Sequence, residues 1–276
     1  MEGDAPGLDP AIEVFYAQYP EEGRLSQGWF QIEAERTRLL VSRYCPPPPA
    51  VWLDVGGGAG AHAFWLASLG YQVHLVDPVD RLVQAAKERS LSASDPLASA
   101  EVGDARNLAF SDASVDCILM LGPLYHLTTR ADRDRALDEA ARVLRSDGLL
   151  FAAGITRWAS LFDGLTHDYL ADPTFVAVME GDVETGQHRN PNRQPQYFTT
   201  AYFHTPEEFC MELAASGLEL EGVFGLEGPA PLLADFDERW ADLRTRTDLL
   251  RAAELIESEP SLLGLSPHIL GVCRKP

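Results

Sequence analysis

The sequence predicts an α/β fold with a doubly wound, mostly parallel sheet, and three observations carry that prediction. Residues 51–77 run from an apolar strand (VWLDV) through a glycine turn (GGGAG) and a helical stretch into a second strand that ends in an acid (YQVHLVD). Two parallel strands need such a helical crossover between them. The C-terminal part alternates in the same way, with a helix starting at Thr205, a strand-like run at 218–226, an acidic amphipathic helix at 234–257 and a final strand at 268–274. At 276 residues and 46% hydrophobic, the chain is large and apolar enough to bury such a core.

Taken in order, residues 1–8 read as disordered and residues 10–43 as helical, with an interruption near YPEEG at 19–23. In the second helix Ile32, Leu39 and Leu40 make an apolar face, while Glu33, Glu35, Arg36 and Arg38 decorate the rest. The run PPPP at 46–49 cannot continue a helix and makes a stiff joint. Residues 1–49 are therefore expected to form an N-terminal helical cap.

At the first strand, glycines let a ligand approach bare backbone, and the following helix offers unpaired N–H groups at its positive end. Asp77, at the end of the second strand, is placed to accept hydrogen bonds from ribose hydroxyls. The ligand should therefore contain a nucleoside. Gly56-x-Gly58-x-x-Ala61 also satisfies the loose dinucleotide pattern, so an NAD-dependent oxidoreductase or a binding-only Rossmann protein is one reading. Asp54 argues against it. A carboxylate just ahead of the glycines repels a pyrophosphate and suits a cationic group such as an α-ammonium.

Asp54, Gly56, Gly58 and Gly60 resemble, without a gap, the first motif of the class I S-adenosylmethionine-dependent methyltransferases. The resemblance implies a Rossmann-like, seven-stranded sheet and S-adenosyl-L-methionine as cofactor, with Asp54 facing its methionine end, the glycine loop beneath it, and Asp77 and Pro78 at the ribose. AEVGDA at 100–105 resembles the family's third-strand end, which gives Asp104 and Ala105 to the adenine. SVDCILMLGPLYH at 114–126 resembles the fourth strand and active-site loop, with Leu121 against the cofactor. RALDEAARVLRSDG at 135–148 resembles the helix and turn before the fifth strand at 149–155, although SDG stands where the family often has proline and two glycines. Residues 50–155 are thus the expected cofactor-binding core. Relatives of this fold often place a cap over the cofactor, so Tyr16, Tyr19 and Trp29 are candidate lid residues and Tyr16 a candidate cofactor contact; for Trp29, packing the cap onto the core is favoured.

Residues 156–204 exceed what a minimal doubly wound fold needs. They are loop-rich in pattern and crowded with aromatic and histidine side chains, among them Trp158, Phe175, His188, Tyr197, Tyr202 and His204. At the carboxyl edge of a parallel sheet such a segment suits a substrate lid, and Tyr197 and Tyr202, with Tyr125 from the active-site loop, are its candidate acceptor contacts. A surface subdomain with its own aromatic core is the alternative. Should the acceptor have to lose a proton, His126 is the first candidate base, His188 the second, and His204 follows. His126 capping the next helix, or meeting the cofactor through its backbone, weighs equally. Arg189 and Arg193 could receive an acidic acceptor. Thr205 and Pro206 then start a capped helix, and residues 205–276 complete the core.

The balance of 22 basic against 42 acidic residues, a net charge of −20, contains no basic cluster to grip a phosphate backbone, so a nucleic acid partner is not expected. No apolar run approaches the ~20 residues that span a bilayer, and the N-terminus lacks a signal-peptide pattern, so no membrane partner and a cytoplasmic location are expected. Cys45, Cys117, Cys210 and Cys273 show no paired spacing, which favours buried thiols over disulfides or a metal site. The function expected is methyl transfer from S-adenosylmethionine to the O, N or C atom of a small, possibly aromatic, acceptor; the alternative is a protein or tRNA acceptor.

Overall fold

The computed structural model describes residues 7–276, so the expectation of disorder for residues 1–8 falls, up to residue 6, outside the described residues. Asp9 accepts a hydrogen bond from the Ala11 N–H and, with Pro10 in the first turn, starts helix α1 (Pro10–Gln18). A short 3₁₀ turn (Glu21–Ser26) follows, then α2 (Phe30–Tyr44), which ends just ahead of the proline run. Ile32 and Leu40 are fully buried, but Leu39 is 43% exposed, which corrects its place on the apolar face. Glu33 and Arg36, expected on the solvated side, are buried instead. The reason is tertiary: Arg36 and Arg43 pair with Glu257, and Glu33 lies 3.8 Å from His268, so the C-terminal part covers a side of α2 which periodicity assigns to water.

The core opens with β1 (Val51–Val55), α3 (Ala61–Ser68), β2 (Gln72–Asp77), α4 (Asp80–Ser92) and β3 (Ser99–Val102). It continues through β4 (Val115–Met120), a single turn α5 (Pro123–His126), α6 (Arg130–Val143) and the long β5 (Leu144–Thr156). These strands lie in the parallel order β3-β2-β1-β4-β5. Alternate residues face opposite layers. Trp52 packs with Leu66, Val83 and Phe151 on one side of the sheet, while Leu53 packs with Ile118, Leu137 and Leu150 on the other. The chain winds outward from β1 in one direction and from β4 in the other, so a crevice opens at the carboxyl ends of these two neighbours.

After β5 come α7 (Ala159–Thr166), α8 (Pro173–Thr185) and two short strands, β6 (Gln187–His188) and β7 (Ala201–His204). The loop-rich character expected of residues 156–204 is thus corrected. Asp172 caps α8 ahead of Pro173, and Gly186 closes it at φ 73°. Helix α9 (Pro206–Ala214) begins with a capping box formed by Thr205 and Glu208. It is followed by β8 (Glu219–Gly225), α10 (Phe236–Ala241), α11 (Leu243–Ile256) and β9 (His268–Arg274). The one amphipathic helix expected over 234–257 is two, because the Asp242 side chain accepts from Thr245 N–H and caps a new start.

Strand β9 pairs antiparallel with both β5 and β8, which completes the seven strands expected. The sheet nevertheless has nine strands. β7 pairs with Ile155 and Thr156 at the tip of β5, beyond the last β4 partner Ala152, and β6 pairs with β7. No described helix is long and apolar enough to cross a membrane.

Candidate active site

Beyond Val55 the backbone reverses through Gly56 and Gly58, both with positive φ (72° and 55°). This turn is tied to the next strand. Gly56 N–H donates to the Val76 carbonyl at 2.7 Å, and Asp77 accepts from Gly58 N–H and Val79 N–H at 2.8 Å each. Burial raises the Asp77 carboxyl to about 6, against the pull of those two amides. Asp54 is more extreme. It is 3% exposed, its Oδ2 has no hydrogen-bond partner, and burial together with the nearby Asp77 raises it to about 7.

These groups line a cavity of about 380 Å³ at the carboxyl edge of the sheet. Asp54, Gly56, Gly58, Asp77, Pro78, Asp104, Ala105, Leu121, Tyr125, His126 and Tyr16 all border it, so residues spread from 16 to 126 meet in one place. Gly60 stands behind them: it precedes α3 at φ 84°, where a Cβ would come within 2.9 Å of the Phe64 ring. Asp104 is held by Arg106, with contacts of 2.9 Å from Nε to Oδ1 and 2.5 Å from Nη2 to Oδ2. Tyr19 stacks on Phe15, and Trp29 lies against Phe30 and His268, the packing role favoured for it.

Three site expectations are corrected. His188 is 1% exposed; its Nδ1 faces Asp182 Oδ2 at 2.9 Å and its Nε2 faces the Tyr197 carbonyl at 2.7 Å, a buried internal brace. Tyr197 donates its hydroxyl to Asp172 Oδ2 at 2.7 Å and packs on Phe175. Tyr202 lies under the Arg133 guanidinium, 4.0 Å from ring centroid to Cζ. The cavity takes no lining residue from residues 156–204. Of the lower-ranked candidates, His204 is fully buried with its Nε2 3.6 Å from Glu212, and Arg189 bonds its neighbour Gln187 at 2.5 Å. The segment instead supports the cap: Thr199 Oγ1 donates to the Ala11 carbonyl at 3.1 Å, and Phe198 meets Phe15 edge-on at 5.5 Å.

His126 joins the three parts. Its Nδ1 faces the Thr200 carbonyl at 3.1 Å, which places the ring proton there, so Nε2 accepts from the Tyr16 hydroxyl at 2.9 Å. Burial holds the imidazole down at about 4, so it stays neutral at physiological pH with its lone pair already engaged.

The cavity also contains residues that the sequence reading missed as site groups: Glu21, Arg24, Glu33, His62 and His268. Arg24 donates to both Glu33 oxygens at 2.7 and 3.2 Å and to Glu21 at 3.0 Å. His62 is neutral, lowered to about 4 by burial and by Arg38. Glu33, Glu227 and His268 offer ligand atoms within 4.8 Å of one another, a spacing that suits a metal; Arg24 already pairs with Glu33 there and His268 with Glu227. One signal was available beforehand: Glu227 directly follows one strand and His268 opens the next.

A doubly wound sheet whose switch-point crevice presents a buried carboxylate with one orphaned oxygen, a glycine turn and a second acid defines a protein that binds a nucleoside bearing a cationic group. Residues 53–152 match the family model described as a methyltransferase domain. The chain is 34% identical over 116 residues to Methyltransferase GfsG of Streptomyces halstedii, covering 41% of each chain, and 34% identical over 105 residues to the Probable tRNA methyltransferase 9B of Homo sapiens, covering 37% of this chain and 21% of that one. It therefore spans well under half the length of these two curated relatives. A SAM-dependent methyltransferase structure from Methanosarcina mazei shares the fold, with a TM-score of 0.57 at 19% identity over 86% of this chain and 96% of that one. Residues 53–152 are thus matched as a methyltransferase domain, and the chain has the fold of S-adenosylmethionine-dependent methyltransferases. Its residues fit that cofactor: the orphaned Asp54 oxygen is complementary to an ammonium, and a Cβ on Gly58 would find no protein atom closer than 3.7 Å, so the turn is open on that side.

Proposed function

We propose that the protein transfers a methyl group from S-adenosylmethionine to a small-molecule acceptor. The observation that carries this reading is the roofed cavity. The turn-and-acid constellation of the core and the polar groups of α2 and β9 border one space of about 380 Å³ that α1 also lines, a size that suits a small acceptor. The strongly acidic composition supports the same choice over a tRNA acceptor, the activity in the human relative's name.

When bound, the cofactor supplies a sulfonium-activated methyl group open to in-line displacement. The chain's own contribution is alignment and the exclusion of water. Asp54 faces the ammonium, the amides of the glycine turn lie beneath the chain, Asp77 with Pro78 receives the ribose, and Ala105 with Leu121 borders the base. Tyr16 and Tyr125 close the roof, and His126 fixes that roof by bonding Tyr16. The acceptor lies between the cap and the sheet edge. Calorimetry with S-adenosylhomocysteine, followed by incubation with methyl-labelled donor and separate pools of small metabolites and tRNA, tests this. Label passing to a metabolite is expected; label passing only to tRNA overturns it.

A further inference from the structure

The strand order brings a second titratable pair to the same edge. β8 runs parallel to β5 and β9 antiparallel to both, so a residue just past the end of β8 meets the first residue of β9 where the parallel strands end. These residues are Glu227 and His268. Glu227 is fully buried and accepts two bonds from one residue: its Oε1 lies 2.6 Å from His268 Nδ1, and its Oε2 takes the His268 backbone N–H at 3.1 Å. The carboxylate therefore fixes both ring orientation and tautomer, with the proton on Nδ1 and the lone pair on Nε2.

Nε2 has no hydrogen-bond partner among the described residues, and His268 borders the cavity. The groups around the ring are Glu227, Glu33 with Oε2 3.8 Å from Nδ1, Arg24 behind Glu33, and the Trp29 ring at 6.1 Å. Burial alone would lower its basicity; the Glu33 and Glu227 carboxylates outweigh burial and Arg24, and raise it above the ordinary 6.5. The contrast with His126 is direct. There both nitrogens are engaged and the ring is held near 4.

We propose that His268, oriented by Glu227, is the general base that removes the proton from a hydroxyl acceptor during methyl transfer. This rests on the methyltransferase reading above. In the step, the acceptor oxygen forms a bond to the methyl carbon, the carbon–sulfur bond breaks with its electron pair left on sulfur, and the O–H proton passes to Nε2. The imidazolium so formed lies beside two carboxylates. A hydroxyl is the acceptor class that needs this device: a neutral amine attacks through its free lone pair, whereas a neutral O–H is a weak nucleophile until its proton is taken. His268 is the catalytic residue and Glu227 a positioning residue.

The test uses the whole chain with S-adenosylhomocysteine, and 4-nitrophenol as a chromogenic acceptor probe. Histidine NMR on the wild type should show Nδ1 protonated and Nε2 bare above the His268 transition, and a transition above 6.5. The Glu227→Gln variant should move that transition to lower pH and mix the tautomers, which a merely structural role would not do. The bound phenol should ionise in the wild type and lose about tenfold or more of its phenolate in His268→Gln. Protonation at Nε2 in the wild type, absent phenol binding, or equal ionisation in His268→Gln overturns the proposal. Calorimetry separates the two failures: wild type that does not bind S-adenosylhomocysteine removes the methyltransferase reading itself, whereas normal binding with an indifferent phenol removes only the base.

Discussion

Asp54 combines almost complete burial, an unpartnered oxygen and a neighbouring acid, so replacing it should separate cofactor binding from stability. Its carboxyl rises from an ordinary 3.8 to about 7 on folding. At about 1.4 kcal/mol per tenfold change in proton affinity, keeping it ionised costs the cofactor-free protein on the order of 4 kcal/mol. The sign is fixed by the direction of the shift. The folded state holds the proton more tightly, so the group costs nothing below pH 3.8, its cost grows between there and about 7, and it is constant above. Asp54→Asn removes the charge and keeps the shape. In urea unfolding without cofactor, the variant should gain roughly 2–3 kcal/mol on the wild type between pH 5 and pH 8. In calorimetry at pH 8 the same variant should bind S-adenosylhomocysteine more weakly by about 1.5–3 kcal/mol, having lost a charge-assisted contact with the ammonium. A stability difference that does not change with pH, or unaltered affinity, would refute the assignment.

Asp77→Ala should lose the paired ribose contacts, at about 1.5–3 kcal/mol each, and loosen the turn whose Gly58 and Val79 amides it holds; unchanged affinity by calorimetry rejects the role. Gly58→Val should fold, since a Cβ there meets nothing closer than 3.7 Å, yet lose cofactor binding because the branched side chain projects into the cavity from a strained left-handed position. A folded variant with normal binding would place the cofactor elsewhere. His188→Ala should destabilise the protein by about 3–5 kcal/mol, by leaving Asp182 buried with only Ser160 as partner, while cofactor affinity in the folded fraction stays within error. An unchanged urea midpoint would show that the brace is dispensable.

What the chain by itself determined lies close together along it. Asp54, the glycines and Asp77 form a strand, turn, helix and strand within residues 51–77, and such a unit is written in short-range terms: apolar period, positive φ and crossover length. The capped start of α9 at Thr205 and Pro206 was legible for the same local reason. Tertiary structure decided whatever depends on which surface is covered. Leu39 is exposed and Glu33 buried because the C-terminal part packs on α2, a contact across roughly two hundred residues that no helical period contains. The aromatics of the insertion turn inward on one another because α8 and the β6–β7 hairpin supply their own core, so His188 and Tyr197, plausible by composition, never reach the cleft. Glu227 and His268 became a pair only through the antiparallel return of β9, which sets residues 41 apart within 2.6 Å of each other at the cavity wall. Local propensity fixes elements and turns; the environment of a charged side chain, and with it its basicity, is set by neighbours that the chain brings from far away.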